Sequence, residues 1–308
     1  MPSNRGKPKK VAINIEPYRV TDGKKFRLKK VDSGDTDGLK SAGDVRHRKV
    51  EAARLLAAGV ERLVAEQDKL YAQDRHSVLI ILQAMDAAGK DSTIKHVMTG
   101  VNPQGVDVVA FKQPSSEELD HDWMWRCYRR FPERGRIGIF NRSYYEEVLV
   151  VRVNQEVLKA QKLPPERVTK DIFEQRMKDI AAFEDYLVRN GTAVLKFFLH
   201  VSRDEQKKRL LERLDKPSKN WKFHAADLEQ RAHWNEYMDA YEAAIRGTAT
   251  EQAPWFAVPA DNKWFTRLVV VTAIVEALEK MKLRYPELDK VQRAELMRSR
   301  ELLVNERP

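Results

Sequence analysis

Lys90 follows a glycine at the end of a short loop, and Asp86 stands four residues before it. Ahead of the loop runs the apolar stretch Val78, Leu79, Ile80, Ile81 and Leu82, and a helical stretch begins at Lys90. A strand, a loop of small residues and a helix N-terminus form a cradle of backbone N–H donors for phosphate, with the lysine as a point charge. Ala87, Ala88 and Gly89 are therefore expected to face phosphate, with Asp91 and Ser92 in the first helical turn beside it. Two departures from the common loop narrow the chemistry. Ala84 opens the loop where Gly is usual, which serves provided its φ is negative. Asp91 follows the lysine where Ser or Thr usually meets magnesium. A carboxylate there repels phosphate unless a cation lies between them. Asp86 raises the same issue and reads as a metal ligand or as an aligner of the attacking phosphoryl oxygen. The bland alternative is a strand-to-helix turn with an incidental lysine.

Three further features are expected at the same strand ends, where ligands of open α/β sheets bind. The run Ile137 to Phe140 ends in Asn141 and Arg142. P-loop enzymes place a magnesium-linked Asp at such a strand end; Asn141 offers an oxygen without charge, so more of the neutralisation falls on Asp86. Arg142 can hold a phosphate bidentately. Phe111 and Lys112, leaving another strand, and Arg126 on the next helix form a wall suited to a nucleotide acceptor. Arg209 and Arg213 lie four apart on one helix face, where like charges repel by a few tenths of a kcal/mol, roughly, and a bound anion reverses that. Lys216, Lys219 and Lys222 continue the positive strip into a stretch that reads as a mobile lid over phosphates, closing out water.

The elements that must position these residues alternate. A long helix spans about 45–72, capped by Asp44, with apolar residues at helical spacing. Strands are expected at 78–82, 106–111, 136–140, 193–199 and 255–258. Helices are expected at 90–98, 115–128, 144–151, 171–189, 203–214, 225–245 and 264–281. Strands alternating with helices give an α/β fold with a parallel sheet covered by helices on both faces. Residues 1–45 form a basic extension, loosely ordered or draped over the core, and 46–308 form one domain with a lid at about 209–228.

Charge and composition bound the rest. The chain has 308 residues and a net charge of +10. Residues 1–30 carry ten basic against two acidic side chains, so the body is nearly balanced. An anionic partner of the body is then held by local clusters, not by a global field, and the tail is read mainly as a solubiliser. One cysteine, Cys127, allows no intrachain disulfide. The start lacks a signal-peptide core, and the longest apolar run, Leu268 to Val275, is too short to span a bilayer. A cytoplasmic protein is expected.

Met85-Asp86-Ala87-Ala88-Gly89-Lys90-Asp91, Asn102-Pro103-Gln104-Gly105, Phe111-Lys112, Gly138-Ile139-Phe140-Asn141-Arg142-Ser143-Tyr144-Tyr145-Glu146 and Asn220-Trp221-Lys222-Phe223 together resemble the polyphosphate kinase type 2 family, over about residues 45–285. The resemblance implies a thymidylate-kinase-like P-loop fold with a helical lid. It implies magnesium (or manganese) as cofactor and reversible, direct transfer of a phosphoryl group between inorganic polyphosphate and a nucleotide. It implies catalytic or phosphate-binding roles for Asp86, Lys90, Arg142, Arg209 and Arg213, metal contacts at Asp86 and Asn141, and nucleotide contacts at Phe111, Lys112, Arg126, Tyr145 and Glu146. Many relatives have Asp at 141 and Gly at 84. The branch it looks closer to accepts both AMP and ADP, with GMP and GDP as further candidates, and a homo-oligomer is expected.

Two other functions remain to be weighed. An ATP-dependent nucleoside monophosphate kinase needs an adenine surface near the lid and shows no turnover with polyphosphate. A nucleic-acid-binding module needs affinity with a steep salt slope that disappears when residues 1–30 are removed; the near-neutral body argues against nucleic acid as a partner, and no membrane partner is expected.

Overall fold

The structure, a computed structural model, describes residues 13–306. Its centre is a six-stranded sheet in the order β1-β6-β5-β2-β4-β3. β2 (Ser77–Gln83), β3 (Val106–Ala110), β4 (Ile137–Asn141), β5 (Thr192–His200) and β6 (Trp255–Pro259) run parallel, and β1 (Arg19–Val20) joins β6 antiparallel. β2 lies between β4 and β5, in register from Val78 beside Ile137 to Leu82 beside Asn141. That register sets the carboxyl end of β2, and the loop after it, beside Asn141 and Arg142. All of β2 is buried, as a strand covered on both faces must be.

α1 (Val45–Gln73) packs on α12 (Lys263–Lys280), and α2 (Lys90–Val97) lies against α12. α1 starts as its sequence suggests: the Asp44 side chain accepts from the His47 N–H at 2.9 Å. α7 (Ile172–Arg189) packs on β5 and on α11 (Trp234–Thr248), which forms the second helical layer. The segment read as a lid, about 209–228, lies on α8 (Arg203–Asp215), α9 (Pro217–Asn220) and the start of α10 (Ala226–Ala232). The short helices are α3 (Ser116–Leu119), α4 (Trp125–Tyr128), α5 (Val150–Val153) and α6 (Gln155–Lys159); α13 (Lys290–Asn305) ends the described chain and is exposed along its length.

Several elements differ from the sequence reading. The helix expected at 115–128 is two short ones, because Asp122 accepts from the Met124 N–H at 2.9 Å and forms a turn between them. The segment 144–151 is a 3₁₀ turn, Tyr144–Val148, followed by α5. The helix at 225–245 breaks at His233. No element was read beyond Met281, so α13 was missed.

Near the N-terminus the sequence left two alternatives, a loose extension or one draped over the core. Lys7, Lys9, Lys10 and Arg5 fall outside the described residues. From residue 13 onward the segment is draped over the core. It forms short 3₁₀ turns and β1, and it buries Ile13, Ile15, Tyr18, Leu28 and Leu39 in the main core. A Cβ at Gly23 would stand 2.3 Å from the Arg246 carbonyl oxygen, so only glycine lets this strap lie against α11. The apolar residues here are scattered at no regular period, so no periodic signal marked them. Ile15→Ala and Leu39→Ala are each expected to cost about 2–5 kcal/mol. Urea unfolding measures this; losses under about 0.5 kcal/mol would restore the picture of a loose extension.

Candidate active site

The loop after β2 turns on two left-handed residues, Gly89 (φ 114°) and Ala87 (φ 62°). Ala84, the residue that departs from the usual glycine, is not left-handed, so it fits its position. An alanine at positive φ persists only when its surroundings hold it, and α8 does the holding. Gln206 Nε2 donates to Asp86 O at 3.1 Å. Arg209 Nη1 donates to Ala87 O at 3.2 Å and Ala88 O at 2.7 Å, while its Nη2 donates to Ala260 O and Asp261 O at 2.7 and 2.9 Å. In a trans peptide N–H and C=O point opposite ways. Three carbonyls drawn toward α8 therefore leave the Ala87 and Gly89 N–H groups directed away from it, while the Ala88 N–H donates to Met85 O at 3.3 Å. α2 begins with no side-chain cap on its first turn, leaving its own donors open. Arg209 is a buried brace of the loop and not the free phosphate ligand that the sequence suggested.

Lys90 lies beneath the loop, buried, with Nζ donating to Ala84 O at 2.9 Å. Burial pushes its ammonium below the ordinary lysine range, against the attraction of Asp86, Glu146 and Asp91. Arg142 takes Asp86 on one side, Nη2 to Oδ1 at 3.0 Å, and Glu146 on the other, Nη1 to Oε2 at 3.5 Å. Burial raises the Asp86 carboxyl, yet Lys90, Arg142 and Arg213 outweigh it and hold that carboxyl below the ordinary range. Burial raises Glu146 despite Arg142 and Lys90. Asn141 Nδ2 donates to Asp91 Oδ1 at 2.7 Å.

The lid faces this group. Arg213 Nη1 donates to Asp227 Oδ2 at 2.9 Å and to Lys222 O at 3.2 Å. Asn220 Nδ2 lies 2.8 Å from the carbonyl oxygens of both Arg213 and Leu214, tying the turn after α8. Lys216 and Lys219 both meet Glu212, at 2.6 and 2.8 Å. Lys219 and Lys222 line the cleft, whereas Lys216 meets only Glu212 at its edge.

Two cavities meet at Arg142. The first, about 850 Å³, is lined by Asp86, Ala87, Gly89, Lys90, Asp91, Ser92 and Asn141, by Phe111, and by the lid residues Arg209, Arg213, Lys219 and Lys222. The second, about 560 Å³, has apolar walls from Trp123, Val150, Val151, Val153 and Val157, with Arg126 and Glu146 beside them. Lys112, Gln113 and Arg142 line both. The Arg126 guanidinium sits 5.1 Å from the Phe111 ring centre and donates to Lys112 O at 2.6 Å. Three expected residues line neither cavity, Lys216 among them. Ala88 is buried under the loop, and Tyr145 is buried in the core with its hydroxyl on Glu184 at 2.8 Å. Tyr145 faces inward because the 3₁₀ turn presents Tyr144 and Glu146 to the cavity.

The Polyphosphate kinase 2 (PPK2) family model matches residues 46–286. The chain belongs to the polyphosphate kinase 2 family. It is 48% identical over 293 residues to the ADP-polyphosphate phosphotransferase of Rhodopseudomonas palustris, covering 95% of this chain and 99% of that one. It is 45% identical over 273 residues to the AMP/ADP-polyphosphate phosphotransferase of Meiothermus ruber, covering 89% and 96%. The crystal structure of Polyphosphate Kinase 2 from Arthrobacter aurescens TC1 matches with a TM-score of 0.83 at 40% identity, over 97% of this chain and 98% of that chain. The α/β architecture with a mostly parallel sheet is therefore that of a P-loop-type kinase, and the protein is an enzyme.

Sequence reasoning missed three residues at this kinase's cleft, Gln206, Asp227 and Lys263, and the bracing role of Arg209. Gln206 and Arg209 act through backbone, and no residue pattern announces a donor aimed at a carbonyl. Asp227 is buried on α10 opposite Arg213, a pairing across fourteen residues and a turn. Lys263, the first residue of α12, lines the cleft near Gly89, and burial lowers its ammonium. The position of α12 in the fold, just past a strand end, was the available signal.

Asp86 binds its proton more weakly folded than unfolded. Its ionised form therefore contributes stability above the unfolded value near 3.9, roughly, and loses it as pH falls through the lower folded value. Asp86→Asn is expected to cost about 1–3 kcal/mol at pH 7. The deficit is expected to shrink as pH falls below the unfolded value, read from urea midpoints; a deficit that grows as pH falls would contradict the assignment.

Proposed function

We propose that the protein moves a phosphoryl group between inorganic polyphosphate and AMP or ADP, with GMP and GDP as further acceptors. The observation that carries this reading is the meeting of the two cavities at Arg142. A cation-lined cleft suits a long polyanion, and an apolar-walled cavity of nucleoside size suits an acceptor. The names of the relatives agree with it. A donor phosphate in the loop would lie against Lys90 and the loop N–H groups, with Arg213, Lys219 and Lys222 along the chain beyond it. The acceptor phosphate would reach Arg142 from the side of Lys112 and Arg126. Phosphoryl transfer asks mainly for such alignment and charge neutralisation, so a direct in-line transfer without a covalent intermediate fits.

Magnesium fits the donor set. Asp86 and Asp227 face each other closely enough for burial and the Asp86 charge to raise the Asp227 carboxyl. Among the described residues no group of three or more acidic, histidine or cysteine side chains converges. Magnesium commonly uses one or two carboxylates and completes its shell with phosphate oxygens and water. Asp86 would hold it, with Asp227 opposite and the Asn141 oxygen open because its nitrogen serves Asp91. When bound, the ion neutralises phosphate charge and aligns phosphate oxygens. Lid closure would exclude water and so prevent hydrolysis of the donor. No helix among the described residues is long and apolar enough to cross a membrane, and a cytoplasmic location with a homo-oligomeric assembly remains our reading.

Incubating the protein with polyphosphate, magnesium and AMP, ADP, GMP or GDP in turn is expected to give the next higher phosphate of the accepted nucleotides by chromatography. Turnover with ATP alone as donor would instead support the monophosphate kinase. Lys90→Ala is expected to lower kcat by about 10²–10³-fold with an unchanged circular dichroism spectrum; near-normal turnover would refute the placement of the phosphate. Arg213→Ala is expected to raise KM for polyphosphate by about 10-fold, the worth of one charge-assisted contact, while KM for the nucleotide stays put. Equal rises in both constants would remove the lid from the donor side.

A further inference from the structure

Arg142 has a left-handed backbone, φ 64°, although it is not glycine. Such a conformation costs free energy and lasts only where its surroundings fix it. On the strand side, the Arg142 N–H donates to Leu82 O at 3.1 Å. Just beyond, the Gln83 amide, oriented so that both its ends are satisfied, accepts from the Ser143 N–H at 3.1 Å and donates to Glu146 Oε1 at 2.9 Å. The far side of the turn is fixed deep in the core. Tyr144 and Tyr145 both donate to Glu184 Oε1, at 2.9 and 2.8 Å. Lys196 Nζ donates to Glu184 Oε2 at 2.5 Å and to Thr248 O at 2.8 Å. Glu184, Lys196, Tyr144 and Tyr145 are each at most 1% exposed. No step of the proposed transfer uses them, and an apolar core would be simpler to build.

We propose that Glu184 is a positioning residue. By holding Tyr144 and Tyr145 it fixes the turn that keeps Arg142 in its left-handed conformation, from which the guanidinium reaches Asp86 and the junction of the two cavities. The role requires a carboxylate. Tyr144 and Lys196 donate to it, the Tyr145 hydroxyl, which also meets Thr248 Oγ1 at 2.8 Å, lies against the same oxygen as Tyr144, and a carboxylate is acceptor-only at both oxygens. An amide of the same size would turn one NH₂ toward a donor. Lys196 supplies the counter-charge that lets Glu184 remain in the core, and α7 and β5 bring the pair under the site from outside it.

This inference rests on the proposed transfer only for its kinetic readout. In the Glu184→Gln enzyme kcat is expected to fall about 10–100-fold through misplacement of Arg142, with KM for polyphosphate within about 2-fold of wild type. In an Arg142→Lys background the same change is expected to cost less than about 3-fold, because the group it positions is already altered. A merely structural glutamate would cost as much in either background. Tyr144→Phe and Tyr145→Phe, each lacking one hydroxyl, give the same comparison should Glu184→Gln fold poorly. A crystal structure of Glu184→Gln, or of the Phe variants, is expected to show Arg142 out of the left-handed region. That readout stands even if wild-type protein fails to use polyphosphate, which would count against the functional reading alone. Equal losses in both backgrounds, or a folded variant with unchanged kcat and an unmoved Arg142, would overturn the proposal.

Discussion

Mutual repulsion of cations is the constraint on which this site depends. Among the described residues, eight lysines and arginines line the larger cleft against four carboxylates. In low dielectric such charges cannot gather without partners. The fold therefore sets a carboxylate beside several of these cations: Asp86 and Glu146 at Arg142, Asp227 at Arg213, Glu212 at Lys219. Lys90 has no carboxylate in hydrogen-bond contact and takes a backbone carbonyl instead, which explains why burial wins over attraction there.

The phosphate loop shows the same logic applied to backbone. Its N–H groups cannot be aimed by their own residues, since alanine and glycine carry no directing side chain. The aim comes from α8, where Gln206 and Arg209 take the carbonyls from behind. The same helix carries Arg213 one turn further on and leads into the lid. The brace of the loop and Arg213 thus sit on one helix, so the same element that holds the cradle also presents a cation over it. Arg231 extends this link by donating to Gln206 Oε1 at 2.8 Å from α10.

Much of this was legible in the sequence because it is local. The apolar run into Gly89 and Lys90, the strand ending at Asn141 and the helix of Arg209 and Arg213 each carry their own pattern, and the sheet brings them together as alternation of strand and helix requires. Three kinds of feature were not legible. Tyr145 and Glu146 are neighbours with opposite fates, and only the 3₁₀ turn decides which faces the cavity. Arg209 and Arg213 look equivalent on a helix, yet one turn places the first against loop carbonyls and the second at the lid. The strap at 13–44 has apolar residues without period, so its burial depends on the grooves of α11 and α12, which no local pattern encodes.

Asn141 and Asp91 show how tertiary contact can reconcile two departures that look separate in the sequence. The usual loop has a hydroxyl after the lysine and a carboxylate at the end of the neighbouring strand; here the carboxylate follows the lysine and the strand ends in an amide. The two side chains meet at 2.7 Å. The local charge count is therefore unchanged, and the negative charge has moved across one hydrogen bond. Its new place is the first turn of α2, where the helix dipole favours an anion. That is also the place where a phosphate binds, so Asp91 and a phosphate compete for the same positive end. The competition is relieved if Asn141 holds Asp91 to the strand side while a cation lies between Asp86 and the phosphate. An amide at 141 then does work that a carboxylate could not do, since a second acceptor there would push Asp91 back toward the phosphate.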